Sequence, residues 1–282
     1  MSEVQNLQTG KPYFVPEPSM RPVTVNLGLF LFAAGLVFTA NGYTGMVLSM
    51  LIGGVLISYG AIGWLTDMAW ENNAGKFTGW ESRSFRIGMG WYIAAELWFI
   101  AAFLGALFYM RVFSVPWLSG HFFESMWPGF VGGWPSNGPT GGPVEALDMT
   151  GPAVGTAMLV LSAIAVNWGL KGMKADNRGQ MNSGLCLAIV FGLVFMAQQL
   201  VGLFIGEHHV GTGAYGTNYY ALTGLHLFHL TLGLIMLLVC QYRMMIGHFD
   251  AKHHGGIEMA SWYWNFAVVV PGVMVFLYFY WL

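Results

Sequence analysis

Apolar residues fall into seven long stretches, at about 24–41, 45–66, 87–112, 153–173, 184–206, 219–245 and 259–282. A helix rises 1.5 Å per residue, so about 20 apolar residues cross the ~30 Å hydrocarbon core of a bilayer. Each stretch is predicted to be a membrane-spanning helix, the first and last being the least defined at their edges. The turn Asn41-Gly-Tyr-Thr-Gly45 is too short to do anything but fold the first two spans into a hairpin, residues 24–66. A charged segment, 67–86, separates that hairpin from five further spans in 87–282. Residues 1–23 read as a polar tail, folded back or extended, without the apolar core or small-residue cleavage site of a signal peptide. Residues 114–152 read as a long Gly- and Pro-rich loop with no helix or strand period. A loop of that length packs on something, another subunit included, or is partly mobile.

Composition agrees with the pattern. Of 282 residues 56% are hydrophobic and 9% charged, against about 25% charged in an average soluble domain. A net charge of -2 gives no reason to expect a nucleic-acid partner. The basic residues set an orientation. With the N-terminus in the cytoplasm, Lys11, Arg21, Lys76, Arg83, Arg86, Lys171, Lys174, Arg178, Arg243 and Lys252 all lie inside, and Arg111 alone lies outside. That asymmetry supports this orientation and an odd number of spans, with the C-terminus on the periplasmic side. Cys186 and Cys240 lie within spans and form neither a disulfide framework nor a metal motif.

The third span carries the most informative side chain. Between Arg86 and Arg111 the ionisable groups are Glu96 and two tyrosines. A charge at membrane depth costs about 2.5–3.5 kcal/mol on insertion scales, so Glu96 faces protein or water, or stays protonated. It is either an acid hydrogen-bonded between helices or an intramembrane site for protons or lipid. Gln198 and Gln199 in the fifth span need hydrogen bonds between helices, and that span ends at Glu207-His208-His209. In the sixth, His226 and His229 are three apart on one helical face. Little else in the chain completes a metal site, so interhelical hydrogen bonding is the expected role and a metal the alternative. Around Trp64, Asp67, Glu71 and Arg86, a solvated segment and a lipid-headgroup contact are equally compatible with the residues. No phosphate loop, nucleophile elbow or His-Glu-x-x-His pattern is present.

Several stretches together resemble subunit III of cytochrome c oxidase, in the haem-copper terminal oxidase family. They are Trp64-x-x-Asp67 with Glu71, and Arg86-x-Gly88-Met89 followed by Glu96 and Phe99. Further on come Tyr215-Gly-Thr with Thr223-Gly-Leu-His226-x-x-His229. The most specific is His253-His254-x-Gly256-x-Glu258-x-Ala260-x-Trp262-Tyr263-Trp264-x-Phe266. The resemblance covers the chain from about Trp64 onward. It implies an all-α, polytopic fold: a two-helix hairpin plus a five-helix bundle around a V-shaped cleft that holds phospholipid.

It also implies a non-catalytic chain that stabilises the catalytic subunit and supports proton uptake. Haem a and copper belong to partner subunits I and II, and the complex as a whole reduces oxygen to water with electrons from cytochrome c. By the same resemblance Glu96 is the buried acid. Trp64, Glu71, Arg86, His226, Arg243 and His248 are lipid-contact positions, and Gln199, His229 and Glu258 are polar contacts between helices. Departures fall at Phe77, at Gly169-Leu170 after Trp168, at Gly202, at Asn265, at Val268 and at Pro271, and read as a divergent bacterial branch in the inner membrane. Two alternatives stay open: subunit III of a quinol-fed or nitric-oxide-linked relative, and a proton-coupled transporter using Glu96.

Overall fold

All seven apolar stretches are helical in the computed structural model, which describes residues 4–5, 12–14, 17–77, 79–141, 144, 149–205 and 213–281. Among the described residues, seven helices are long and apolar enough to cross a membrane. They are α1 (Arg21–Ala40), α2 (Thr44–Asn73), α3 (Gly79–Leu118), α4 (Thr150–Lys174), α5 (Arg178–Ile205), α6 (Ala214–Met245) and α7 (Gly255–Phe279). A two-residue antiparallel pairing of Val4–Gln5 with Pro12–Tyr13 is too short to alter the all-α class. Lys11 and Glu207-His208-His209 lie outside the described residues.

The helices overrun the spans expected from hydropathy. The charged segment 67–86 is mostly helix, because α2 runs to Asn73 and α3 starts at Gly79. Nothing between Trp64 and Asn73 breaks a helix, and backbone hydrogen bonds continue at no cost once the chain enters water. The stop comes at Gly75, whose φ of 71° is the left-handed value that terminates helices. At its other end α3 passes through a wide π turn, Met110–Ser114, and continues to Leu118. Pro116 sits just after that turn, where a missing N–H is tolerated.

The chain forms two compact units, Met1–Phe85 and Arg86–Leu282. In the first, α1 and α2 pack backbone to backbone through Gly28, Gly35, Gly53 and Gly60. A Cβ on Gly28 would lie 2.8 Å from the Ile57 amide nitrogen, closer than atoms approach. Small residues at such a seam are how membrane helices gain dispersion contacts when lipid is as apolar as they are. Phe14 folds back onto the α2–α3 turn, with its amide on Glu81 Oε1 (3.1 Å) and its ring 5.7 Å from that of Phe77. Phe77 in turn packs on Phe85.

The second unit is organised around Trp264, which is fully buried on α7. Its indole lies against Gly192 of α5 and Gly233 of α6, and its Nε1–H donates to Ser162 Oγ of α4 (2.9 Å). One side chain thus ties four helices. Trp264 opens a π segment, Trp264–Val269, within α7. One end of this unit is aromatic: Tyr215, Tyr219 and Phe279 pack on Ile100, Leu104 and Leu107.

The long loop docks on this unit. Trp134 meets Tyr215 edge-on at 5.4 Å, with the Arg111 guanidinium 5.7 Å from the indole. Asn137 Oδ1 accepts from the Gly216 amide at 3.5 Å, in the first turn of α6. Gly213, at φ 132°, is the residue that lets Asn137 approach.

Candidate functional site

Glu96 projects from α3 and His229 from α6, and they meet: His229 Nε2 lies 2.6 Å from Glu96 Oε2. The His229 side chain is 2% exposed and that of Glu96 18%. The other ring nitrogen, Nδ1, lies 2.8 Å from the Leu225 carbonyl oxygen. A carbonyl oxygen can only accept, so Nδ1 carries a proton. Nε2 then either accepts from a protonated Glu96 or, as part of an imidazolium, donates to the carboxylate. Either way one proton occupies the 2.6 Å contact. That resolves the problem the sequence posed, since the pair is neutral overall in one form and a matched ion pair in the other.

Two tyrosines complete the surroundings. Tyr92 precedes Glu96 by one turn on α3, and Tyr263 comes from α7; their rings stack at 6.0 Å. The Tyr263 hydroxyl donates to the His229 carbonyl (3.4 Å). The i, i+4 spacing of Tyr92 and Glu96 is the signal in the sequence that marks Tyr92. Nothing local marks Tyr263, which arrives only through the packing of α7.

His226 serves a different end. It is 1% exposed, and its Nε2–H donates to the Val268 carbonyl at 2.8 Å, within the π segment of α7. It is enclosed by protein rather than placed on a lipid-facing surface, because Gly272 leaves the room its ring fills. The two histidines therefore share a helical face but diverge in partners. Among the described residues no group of three His, Cys, Asp or Glu side chains is placed to hold a metal ion.

The remaining positions separate by unit. Trp64, 46% exposed, and Glu71, half-buried, belong to the first unit. In the second, Arg86 Nη2 pairs with Glu258 Oε2 at 2.8 Å, and Lys174 Nζ stands 3.9 Å from Oε1 of the same carboxylate. Arg243 stacks over Phe249 at 4.6 Å, and the His248 amide donates to the Arg243 carbonyl. Arg178 Nη2 donates to the Phe249 carbonyl (2.9 Å), pinning the turn between α6 and α7. In that turn Asp250 accepts from His253 Nδ1 and from the amides of His253 and Lys252, which together hold its carboxyl at about 2.

No interhelical hydrogen bond reaches Gln199 among the described residues, and Gln198 Oε1, packed on Gly155, also lacks one. The interhelical amide contacts are elsewhere, at Asn167–Asn265 (2.9 Å) and Gln241–Asn182 (2.5 Å). Two departures from the resembled pattern thus take structural roles: Asn265 joins α7 to α4, and Val268 offers the carbonyl that His226 uses.

The chain matches the family described as cytochrome c oxidase subunit III over residues 11–282. It is 31% identical to cytochrome c oxidase subunit 3 of Homo sapiens over 261 residues, 92% of each chain. It is 30% identical to the Pan troglodytes protein of the same name over 260 residues, again 92% of each, and 31% identical to that of Rattus norvegicus. A family match over residues 11–282, with relatives about 30% identical over 92% of the chain, identifies this chain as a member of the cytochrome c oxidase subunit III family.

Proposed function

We propose that the chain is the non-catalytic third subunit of a proton-pumping cytochrome c oxidase in a bacterial inner membrane. It stabilises subunit I, supports proton uptake and binds phospholipid. Subunits I and II hold the haem a and copper centres, and the complex passes electrons from cytochrome c to oxygen. The observation that carries this reading is the Glu96–His229 contact at 2.6 Å, a single-proton pair enclosed by helices. Such a pair keeps a titratable group at membrane depth without an unpaired charge.

Purification through a tag on this chain in mild detergent, followed by a reduced-minus-oxidised spectrum, tests the assignment. Haem a bands with co-purifying larger subunits are expected. Removal of the chain leaves haem content unchanged while the remaining complex loses activity during turnover. Loss of haem together with the chain overturns the non-catalytic role.

A further inference from the structure

The outer face of α4 carries a groove of about 410 Å³ lined by Val160, Ala163, Ile164, Asn167, Trp168 and Lys171. Val160 to Lys171 spans about 16 Å of helix, the depth of one leaflet's hydrocarbon, ~15 Å. Chemistry changes along that length in one direction. The Val160–Ile164 end is aliphatic, with Ile164 60% exposed. At the other end stand two hydrogen-bond donors without a partner among the described residues, the Trp168 indole N–H and the Lys171 ammonium. The Trp168 carbonyl is already taken by Gln180 Nε2 at 2.8 Å.

Asn167, between the two ends, is the residue that decides what the groove accepts. Its amide nitrogen donates to Ala163 O and to Asn265 Oδ1, and the Asn265 nitrogen donates to Ser261 O and back to Asn167 Oδ1. Both hydrogens of both amides are used. The pair therefore asks for no donor–acceptor partner in the groove, and an acyl chain can pass it without stranding an N–H. A ligand that suits this order is apolar for about one leaflet and anionic at the Lys171 end.

We propose that the groove binds a phospholipid with an anionic headgroup, its phosphate on Lys171 and the Trp168 indole and one acyl chain along Ile164 and Val160. The site lies on α4 alone and involves none of the six lipid-contact positions named from the resemblance. Basic groups and indoles at the membrane interface are the side chains that recognise such headgroups.

The test uses the intact complex containing this chain, reconstituted in nanodiscs with phosphatidylglycerol bearing a photoactivatable acyl chain. Peptides covering 160–171 should be labelled. Lys171→Ala should lower that labelling about fivefold, Lys171→Arg should retain it, and the same probe built on phosphatidylcholine should label about fivefold less. Ile164→Trp, which fills the groove without touching Lys171, should abolish labelling. Equal labelling by the zwitterionic probe, or no response to Lys171→Ala, overturns the proposal. So does a density map of the complex with a neighbouring polypeptide helix seated over the groove. None of these readouts depends on oxidase turnover, so failure here is distinguishable from failure of the functional reading.

Discussion

The proton between Glu96 and His229 is set by the Leu225 carbonyl, which obliges His229 to present Nε2 toward the acid. Substitutions should follow that logic. In Glu96→Gln the amide donates to Nε2, so the helix contact survives and complex yield should match the parent. In Glu96→Lys an ammonium faces a ring nitrogen within the hydrocarbon, costing about 2.5–3.5 kcal/mol, and yield and thermal stability should fall. His229→Leu strands the carboxyl and should cost about 1–3 kcal/mol, read as a lower melting temperature of the complex. Equal yields for the Gln and Lys variants would show that the acid is not enclosed. The acid and the histidine were legible as single residues; their pairing was not, since 133 positions separate them and only the packing of α3 on α6 joins them. At the membrane surface, Asp250 offers a pH test. Its carboxyl sits at about 2, below the ordinary 3.8, because His253 and two amides donate to it. The depressed value means that its contribution is complete above the ordinary value and is lost as pH falls through about 2. Amide exchange at Lys252 and His253 should be slower than in Asp250→Ala at matched pH, and that difference should vanish as pH falls through about 2.

Among the helices, hydropathy sees the spans but not the seams. All seven helices were legible because apolar length is a one-dimensional property, and their ends were not, because a helix continues into water until a residue such as Gly75 stops it. The seam of α1 with α2 lies in glycines that hydropathy scores as neutral. Gly28 and Gly54 illustrate the difference. A methyl group on Gly28 meets the Ile57 amide nitrogen at 2.8 Å and the Gly53 carbonyl at 2.9 Å, whereas Gly54 has open space. Backbone atoms cannot swing aside as a side chain can. Gly28→Ala should therefore force the two helices apart and destabilise by about 1–3 kcal/mol. Gly54→Ala should change stability by about 0.5 kcal/mol or less. Thermal melting of the purified complex distinguishes them, and a similar loss for both would mean that the seam is not the contact described. The same reasoning accounts for Trp264: its motif was legible in the sequence, but the slot between Gly192 and Gly233 that receives it draws on two other helices, α5 and α6.

For the whole molecule, the docking of the long loop was beyond sequence reasoning, since Trp134 and Asn137 find Tyr215 and Gly216 only once α6 is in place. The orientation rests on a different kind of argument, the placing of ten basic residues against one. Seven helices alternate direction if each crosses once, so the α4–α5 and α6–α7 turns share a side and the segment after α3 lies opposite. Ala175 and Lys252 are positions in those two turns, and Glu124, 71% exposed, is a position on the other side. Cysteine placed at each should report its side through a membrane-impermeant thiol reagent. The native thiols should add little background, because Cys240 is buried and Cys186 lies within the span α5, which a membrane-impermeant reagent does not enter. Ala175→Cys and Lys252→Cys should be protected in whole cells and labelled in inverted vesicles, and Glu124→Cys should show the reverse. If Glu124→Cys behaves like the other two, at least one helix does not cross, and the parity on which the charge asymmetry depends is broken. If all three invert together, the seven crossings stand and the basic residues face the wrong compartment, which would remove the reason for placing Lys171 in the cytoplasmic leaflet while leaving the groove on α4 intact.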